Sequence, residues 1–379
     1  MPACATPGCS YRAHSQPQPG FAGFCCIACA EGRQHGPRCQ RLPALGASSG
    51  RIPDVEEIEP IDVFEDVEAQ LATARASGGR EQEASALLQL AEMRLACEQR
   101  AEALEAAEAA SRGFRELGDD CRQAEAIRMV VKAHLAGGGL REAAAVEKRE
   151  REQFEKAGKR AAGALMLLAC SDVHLAQGDP RKALKAASSA VASLKQLGAV
   201  KGQVLALHQE GEVLKEFNEA AKMLEVVKRA APLLEELCDD ILEARIMEIK
   251  SHAYQVAGDP ARAMEATKEG LAFSRRAGDR IGEGAALNNV ANAHLMVQDG
   301  ATDALDAALE AFTHCTATGN RREAAFALGE IVSAYCMMEN LEGAILAQKK
   351  MVALARERGD RQQLQTASEN LAYLQSVRW

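Results

Sequence analysis

Apolar positions in this chain follow a helical period from Ile61 onward, and the pattern is punctuated at regular intervals. A glycine closes each apolar stretch at Gly78, Gly118, Gly158, Gly198, Gly278, Gly319 and Gly359, with Cys238 standing where glycine is missing. The interval is 40 residues, lengthening once to 41. Glycine just past a helix can take the left-handed conformation that closes its last carbonyls, and an aspartate after it, as in "AGDR" and "RGDR", can cap the next helix. A second break lies midway in each unit. It is plainest in "AQGDPRKAL" and "VAGDPARAM", where Asp179 and Asp259 suit N-cap sites and Pro180 and Pro260 suit first helical positions. Each unit is therefore predicted to be a pair of helices.

The second helices carry a small residue followed by an apolar one at a constant phase: Ala103 Leu104, Ala143 Ala144, Ala183 Leu184, Ala263 Met264, Ala304 Leu305 and Ala344 Ile345, with Met223 Leu224 in the fourth unit. Small residues in register let neighbouring backbones approach closely. Stacked units bury their faces only against neighbours, so the ends need caps. "IDVFEDVEAQLATARAS" (61–77) supplies a leading amphipathic helix and "RQQLQTASENLAYLQSVRW" (361–379) a closing one. Three residues break the pattern. Glu210 and Lys250 occupy positions where first helices place an apolar side chain, and Pro232 falls inside a second helix, which it is predicted to bend or break.

"AALNNVANAHL" followed by "DALDAALEAF", and "LLACSDVHLAQGDPRKALKAA", resemble the tetratricopeptide (TPR) array in its forty-residue form, similar to kinesin light chains and G-protein-signalling modulators. The resemblance covers residues 77 to 379. It implies an all-α solenoid, a right-handed superhelix of helix pairs, whose first helices line a concave groove that holds a peptide or a helix. Carried over by position, the groove takes Leu88 and Glu92, Arg128 and Lys132, Leu168 and Asp172, His208 and Glu212, Glu248 and His252, Asn288 and Asn292, then Gly329 and Ser333. Asn288 and Asn292 lie four apart on one helix face and each can offer a donor and an acceptor. The regular Lys and Asn pairs by which chaperone-binding members hold a terminal carboxylate are missing. The alternation of acids and bases fits a partner of mixed charge.

Composition agrees with helix: 47% hydrophobic but only 4% aromatic, with 26% charged. No apolar run is long enough to span a bilayer and the N-terminus lacks a signal-peptide pattern, so a cytoplasmic chain is expected. The net charge is −9, yet residues 1–50 hold Arg12, Arg33, Arg38 and Arg41 against Glu31 alone. A nucleic acid would thus be met only through residues 1–50.

That basic segment carries different chemistry. Cys4, Cys9, His14, Cys25, Cys26, Cys29, His35 and Cys39 crowd a stretch whose sizeable apolar groups are Tyr11, Phe21, Phe24, Ile27 and Leu42. Too little is present for a core at a length where metals are usually required. Zinc explains the mixture of thiols and imidazoles best, since it takes both tetrahedrally and its binding is worth about 10 to 16 kcal/mol to such a segment. Unbound thiols and a disulfide or redox role are the other readings. Eight ligands suit two ions, with Cys26, Cys29, His35 and Cys39 resembling a zinc knuckle in order though not in spacing. The pairing stays open. The division expected is a Cys/His-rich zinc-binding segment (1–42), a Pro, Gly, Ser and acid-rich linker (43–60) and the repeat array (61–379).

Elsewhere Cys97, Cys121, Cys170, Cys315 and Cys336 read as small core hydrophobes, and His134, His174 and His294 share a packing phase with Tyr254 and Tyr335. No phosphate loop, nucleophile elbow or metal-binding histidine pair is found in the sequence. The expectation is a non-enzymatic adaptor with a peptide groove and a zinc-stabilised second contact. RNA binding through the N-terminal segment and a regulatory subunit of an enzyme complex are the alternatives. The oligomeric state is not legible.

Overall fold

Each punctuating residue does what the spacing requires. Gly78, Gly118, Gly158, Gly198, Gly278, Gly319 and Gly359 all take positive φ, between +66° and +73°, and Cys238 takes the same left-handed conformation at +51°. Aspartates at 119, 179, 259 and 279 then accept the backbone N–H three residues on, which starts the next helix. Pro180 and Pro260 occupy the first positions of their helices.

The computed structural model describes residues 51–376, and none of these forms a strand. Helix α1 (Glu65–Ser77) leads the array. Pairs follow: α2 (Arg80–Ala96) with α3 (Arg100–Leu117), α4 (Asp120–Ala136) with α5 (Leu140–Lys156), and α6 (Arg160–Ala176) with α7 (Pro180–Gln196). Next come α8 (Val200–Lys215) with α9 (Ala220–Leu237), and α10 (Asp240–Val256) with α11 (Pro260–Ala277). The series ends with α12 (Arg280–Leu295) and α13 (Ala301–Ala317), α14 (Arg321–Met337) and α15 (Leu341–Arg358), and the closing α16 (Arg361–Ser376). This is an all-α solenoid of repeated helix pairs.

The in-register small residues mark where helices meet. Ala103, Ala143, Ala183, Met223, Ala263, Ala304 and Ala344 are all buried, none above 1% exposure. A larger side chain at any of these sites would overpack a junction, at a cost of about 1 to 3 kcal/mol. Cys97 and Cys315 are buried, while Cys121, Cys170 and Cys336 are partly so. The two charged intruders are paired rather than misplaced. Glu210 is buried and accepts from Ser188 Oγ (2.6 Å) and Arg229 (3.0 Å), and Lys250 reaches Glu269 at 2.9 Å.

Two expectations need correction. Of the bend or break expected at Pro232, the break does not occur, since helix α9 runs through it from Ala220 to Leu237. Pro232 and Lys228 both lie exposed, so the carbonyl deprived of its donor can turn to water. Nor is all of 43–60 a linker, since its described part is docked on the last repeats. Ile52 is 2% exposed within the apolar cluster of α12 to α16, Lys350 on α15 donates to the Pro53 carbonyl (3.1 Å), and the Ile61 N–H bonds the Ala317 carbonyl (2.7 Å). The acid-rich composition that reads as a linker hides two isoleucine contacts, the buried Ile52 and the half-buried Ile58.

Candidate interaction groove

On a curved solenoid, the inner surface brings helices of non-adjacent repeats together. Here the first helices do so. Arg128 on α4 forms a forked pair with Asp172 on α6 (2.7 and 3.2 Å) and also donates to Gln209 on α8. Gln209 in turn donates to Ser171 Oγ (3.3 Å), whose hydroxyl donates to the Ala183 carbonyl (3.0 Å). Further along, Arg245 on α10 pairs with Glu92 on α2, spanning the interior from the fifth helix pair to the first. The first helices therefore line the concave face, and their polar side chains form a belt across it.

The belt is largely neutralised from within. Burial alone would raise the Asp172 carboxyl, but Arg128 and Lys132 beside it hold it below the usual carboxylate range. Glu92 behaves alike, with burial opposed by Arg245 and Lys132. Lys215, which burial would lower, is raised instead by Glu248 (2.6 Å) and Glu212 (2.7 Å). Burial, reinforced by Arg245, keeps the His208 imidazole neutral, its pKa well below the ordinary value. Lys132 stands apart. Among the described residues it makes no direct hydrogen bond or ion pair, and Arg128 together with burial lowers its pKa. Asp172 and Glu92 act on it in the opposite sense, so its charge is partly balanced at a distance while its ammonium keeps its donors free of direct contacts.

Of the positions expected to face the groove, Arg128, Lys132, Asp172, His208, Glu212 and Glu248 join this belt. His252 is half-buried, with a buried Nε2 that has no hydrogen-bond partner among the described residues. Ser333 is exposed and donates to its own helix at the Gly329 carbonyl (3.0 Å). The two asparagines are bound into the fold. Asn288 is 5% exposed and its Nδ2 donates to the Glu323 carbonyl (3.0 Å) and carboxylate (2.8 Å) on α14, while Asn292 donates to Gln255 at 3.3 Å. Asn288 thus has a packing role that its poor helix propensity concealed.

Sequence reasoning missed Arg245, Gln209 and Lys215. The signal was available, since Arg245, Glu248 and His252 follow an i, i+3, i+7 course, and so do His208, Glu212 and Lys215 in reverse spacing. Beneath the Glu92–Arg245 bridge lies a cavity of about 320 Å³. Its walls come from Met93 on α2, Ala244 and Met247 on α10, Gly270 on α11 and Ile281 and Ala285 on α12. It is largely apolar and lies between repeats that are distant in sequence.

The eight Cys and His residues from Cys4 to Cys39 lie outside the described residues. No family model and no curated protein matches the chain. Among solved structures, a STAND-class signal-transduction ATPase with a tetratricopeptide repeat sensor from Pyrococcus horikoshii is similar at 15% identity and a TM-score of 0.42. The likeness covers 77% of this chain and 42% of that one, so the chain spans less than half the length of that protein. A circular tandem repeat protein is similar at 15% identity over 82% of this chain and 88% of that one, with a TM-score of 0.23. At these scores neither likeness bears on function, and the fold rests on the helix pairing described above.

Proposed function

We propose that this chain is a non-enzymatic adaptor of the TPR type that holds a peptide or helix of mixed charge in its concave groove. The observation that carries the reading is the belt of paired charges on the first helices, interrupted by the unpaired Lys132 and adjoined by an apolar cavity. A groove whose own charges are matched gives no net attraction to a ligand of uniform sign and pairs locally with one that offers both. In this reading a ligand carboxylate meets Lys132 and an apolar side chain fills the cavity under Glu92 and Arg245. The zinc-binding segment at Cys4–Cys39 supplies a second contact, and two linked weak contacts raise avidity without strengthening either.

Lys132→Gln tests the groove. It should weaken a captured partner about tenfold or more while leaving thermal stability unchanged or raised, because it removes a cation from beside Arg128. Unchanged partner affinity with normal folding would contradict the assignment.

A further inference from the structure

The solenoid closes on itself, and the closure is made by a small set of contacts joining residues far apart in sequence. The turn between α2 and α3 touches the two last inter-repeat turns. Cys97 donates its thiol to the Thr318 carbonyl at 3.6 Å, and Glu98 accepts both arms of Arg358 at 2.9 and 2.8 Å. The segment before α1 runs alongside, with Ile52 buried in the last repeats, Lys350 paired to Asp54, and the Ile61 amide bonded to Ala317.

Glu98 also sits in an unfavourable backbone conformation. At the matching turn the second, third and fifth helix pairs place Gly138, Gly178 and Gly258 at φ between +72° and +78°, where glycine suffers no Cβ clash. The first, fourth and seventh pairs place Glu98 (φ +60°), Asn218 (+51°) and Glu339 (+56°) there, and of the two glutamates only Glu98 makes a long-range ion pair among the described residues. A carboxylate in the left-handed region is strained, and this one is positioned on a guanidinium whose side chain is only 9% exposed. Local folding would be better served by glycine. The long-range pair would not.

We propose that residues 51–63 and the α2–α3 turn form a releasable clasp that holds the first and last repeats together and gates the concave groove. Its holding contacts are mainly ion pairs and single hydrogen bonds, which part more readily than an interdigitated core. Opening it would swing α2 away, breaking the Glu92–Arg245 bridge and removing one wall of the cavity. The gating half of this proposal rests on the groove reading above. The closure itself does not, and it can be measured without a ligand.

The test uses the full chain and amide hydrogen exchange, with small-angle scattering as a second readout. In the unaltered protein, amides of residues 52–63, Ile61 above all, should be protected. In the double variant Glu98→Gly/Lys350→Met their exchange should accelerate at least tenfold and the radius of gyration should rise, with exchange in α6 to α8 unchanged. Glu98→Gly alone should lower the melting temperature less than Arg358→Glu does, since relief of the left-handed backbone offsets part of the ion pair it removes. The charge swap Glu98→Arg/Arg358→Glu should retain the compact form that Arg358→Glu alone loses. The clasp is overturned if the double variant keeps its protection, if exchange rises equally in all repeats, or if the swap behaves like the single reversal. A failed Lys132 test with an intact clasp result would discard the groove reading only.

Discussion

Removing the carboxylate of Asp172 leaves the Arg128 guanidinium buried against Gln209 alone. The two side chains are 10% and 11% exposed, so water can do little to replace the lost partner. Breaking a buried, forked pair by deleting one member costs about 3 to 5 kcal/mol, most of it the price of an uncompensated charge. Asp172→Ala should therefore destabilise the second to fourth helix pairs by that amount. Arg128→Met/Asp172→Leu should fall within about 1 kcal/mol of the unaltered chain, because both charges leave together. Repeat arrays unfold in parts, so the assay should be local: exchange rates of core amides in α4, α6 and α8 across a urea series. The pH dependence follows in sign. The folded carboxyl lies below its unfolded value, so its contribution is present above the usual carboxylate range and is lost as pH falls through the depressed value. A loss below about 1 kcal/mol in Asp172→Ala, or a double variant as damaged as the single one, would refute a buried pair bridging three repeats.

Three further outcomes are expected. Asn288→Ala should lower the melting temperature, by about 1 to 3 kcal/mol of stability, because Glu323 loses its donor; unchanged stability would return Asn288 to the ligand-facing set. Burial and the nearby Glu323 push the Glu330 carboxyl up to about 9, so the stability it contributes is full below the usual carboxylate range and declines as pH rises toward 9; Glu330→Gln should flatten that decline in melting temperature, and an unaltered pH profile would argue against it. Elemental analysis of protein purified under reducing conditions should find one or two zinc ions, and a chelator should remove them with little loss of helical circular dichroism; metal-free protein would remove the zinc reading.

Much of the fold was legible because its determinants are local. A left-handed residue at each helix end, Asp before Pro at the midpoints and alanine at the contact phase are all read from neighbours in sequence, and Cys238 shows that the backbone demand persists even without glycine. Determinants that act over long distances were not legible. Glu210 looks misplaced until Arg229 and Ser188 are seen beside it, and Asn288 looks idle until α14 is in place. The same holds for the closure: nothing near Glu98 announces Arg358, 260 positions downstream. The groove residues lay between these cases. Helical spacing put Lys132, Asp172 and Glu248 at one phase of their first helices, but which charges neutralise one another depends on the curvature of the array, which no single repeat encodes.

Site-specific photo-crosslinking in cells tests the central claim most directly. A photoreactive residue would replace Lys132 or Ser333 on the first helices, and, as controls, exposed Glu105, Lys185 or Glu225 on the second helices. The groove account predicts one common partner captured from the first set and absent from the second. Equal capture from both sets, or capture from the second-helix positions alone, would contradict it.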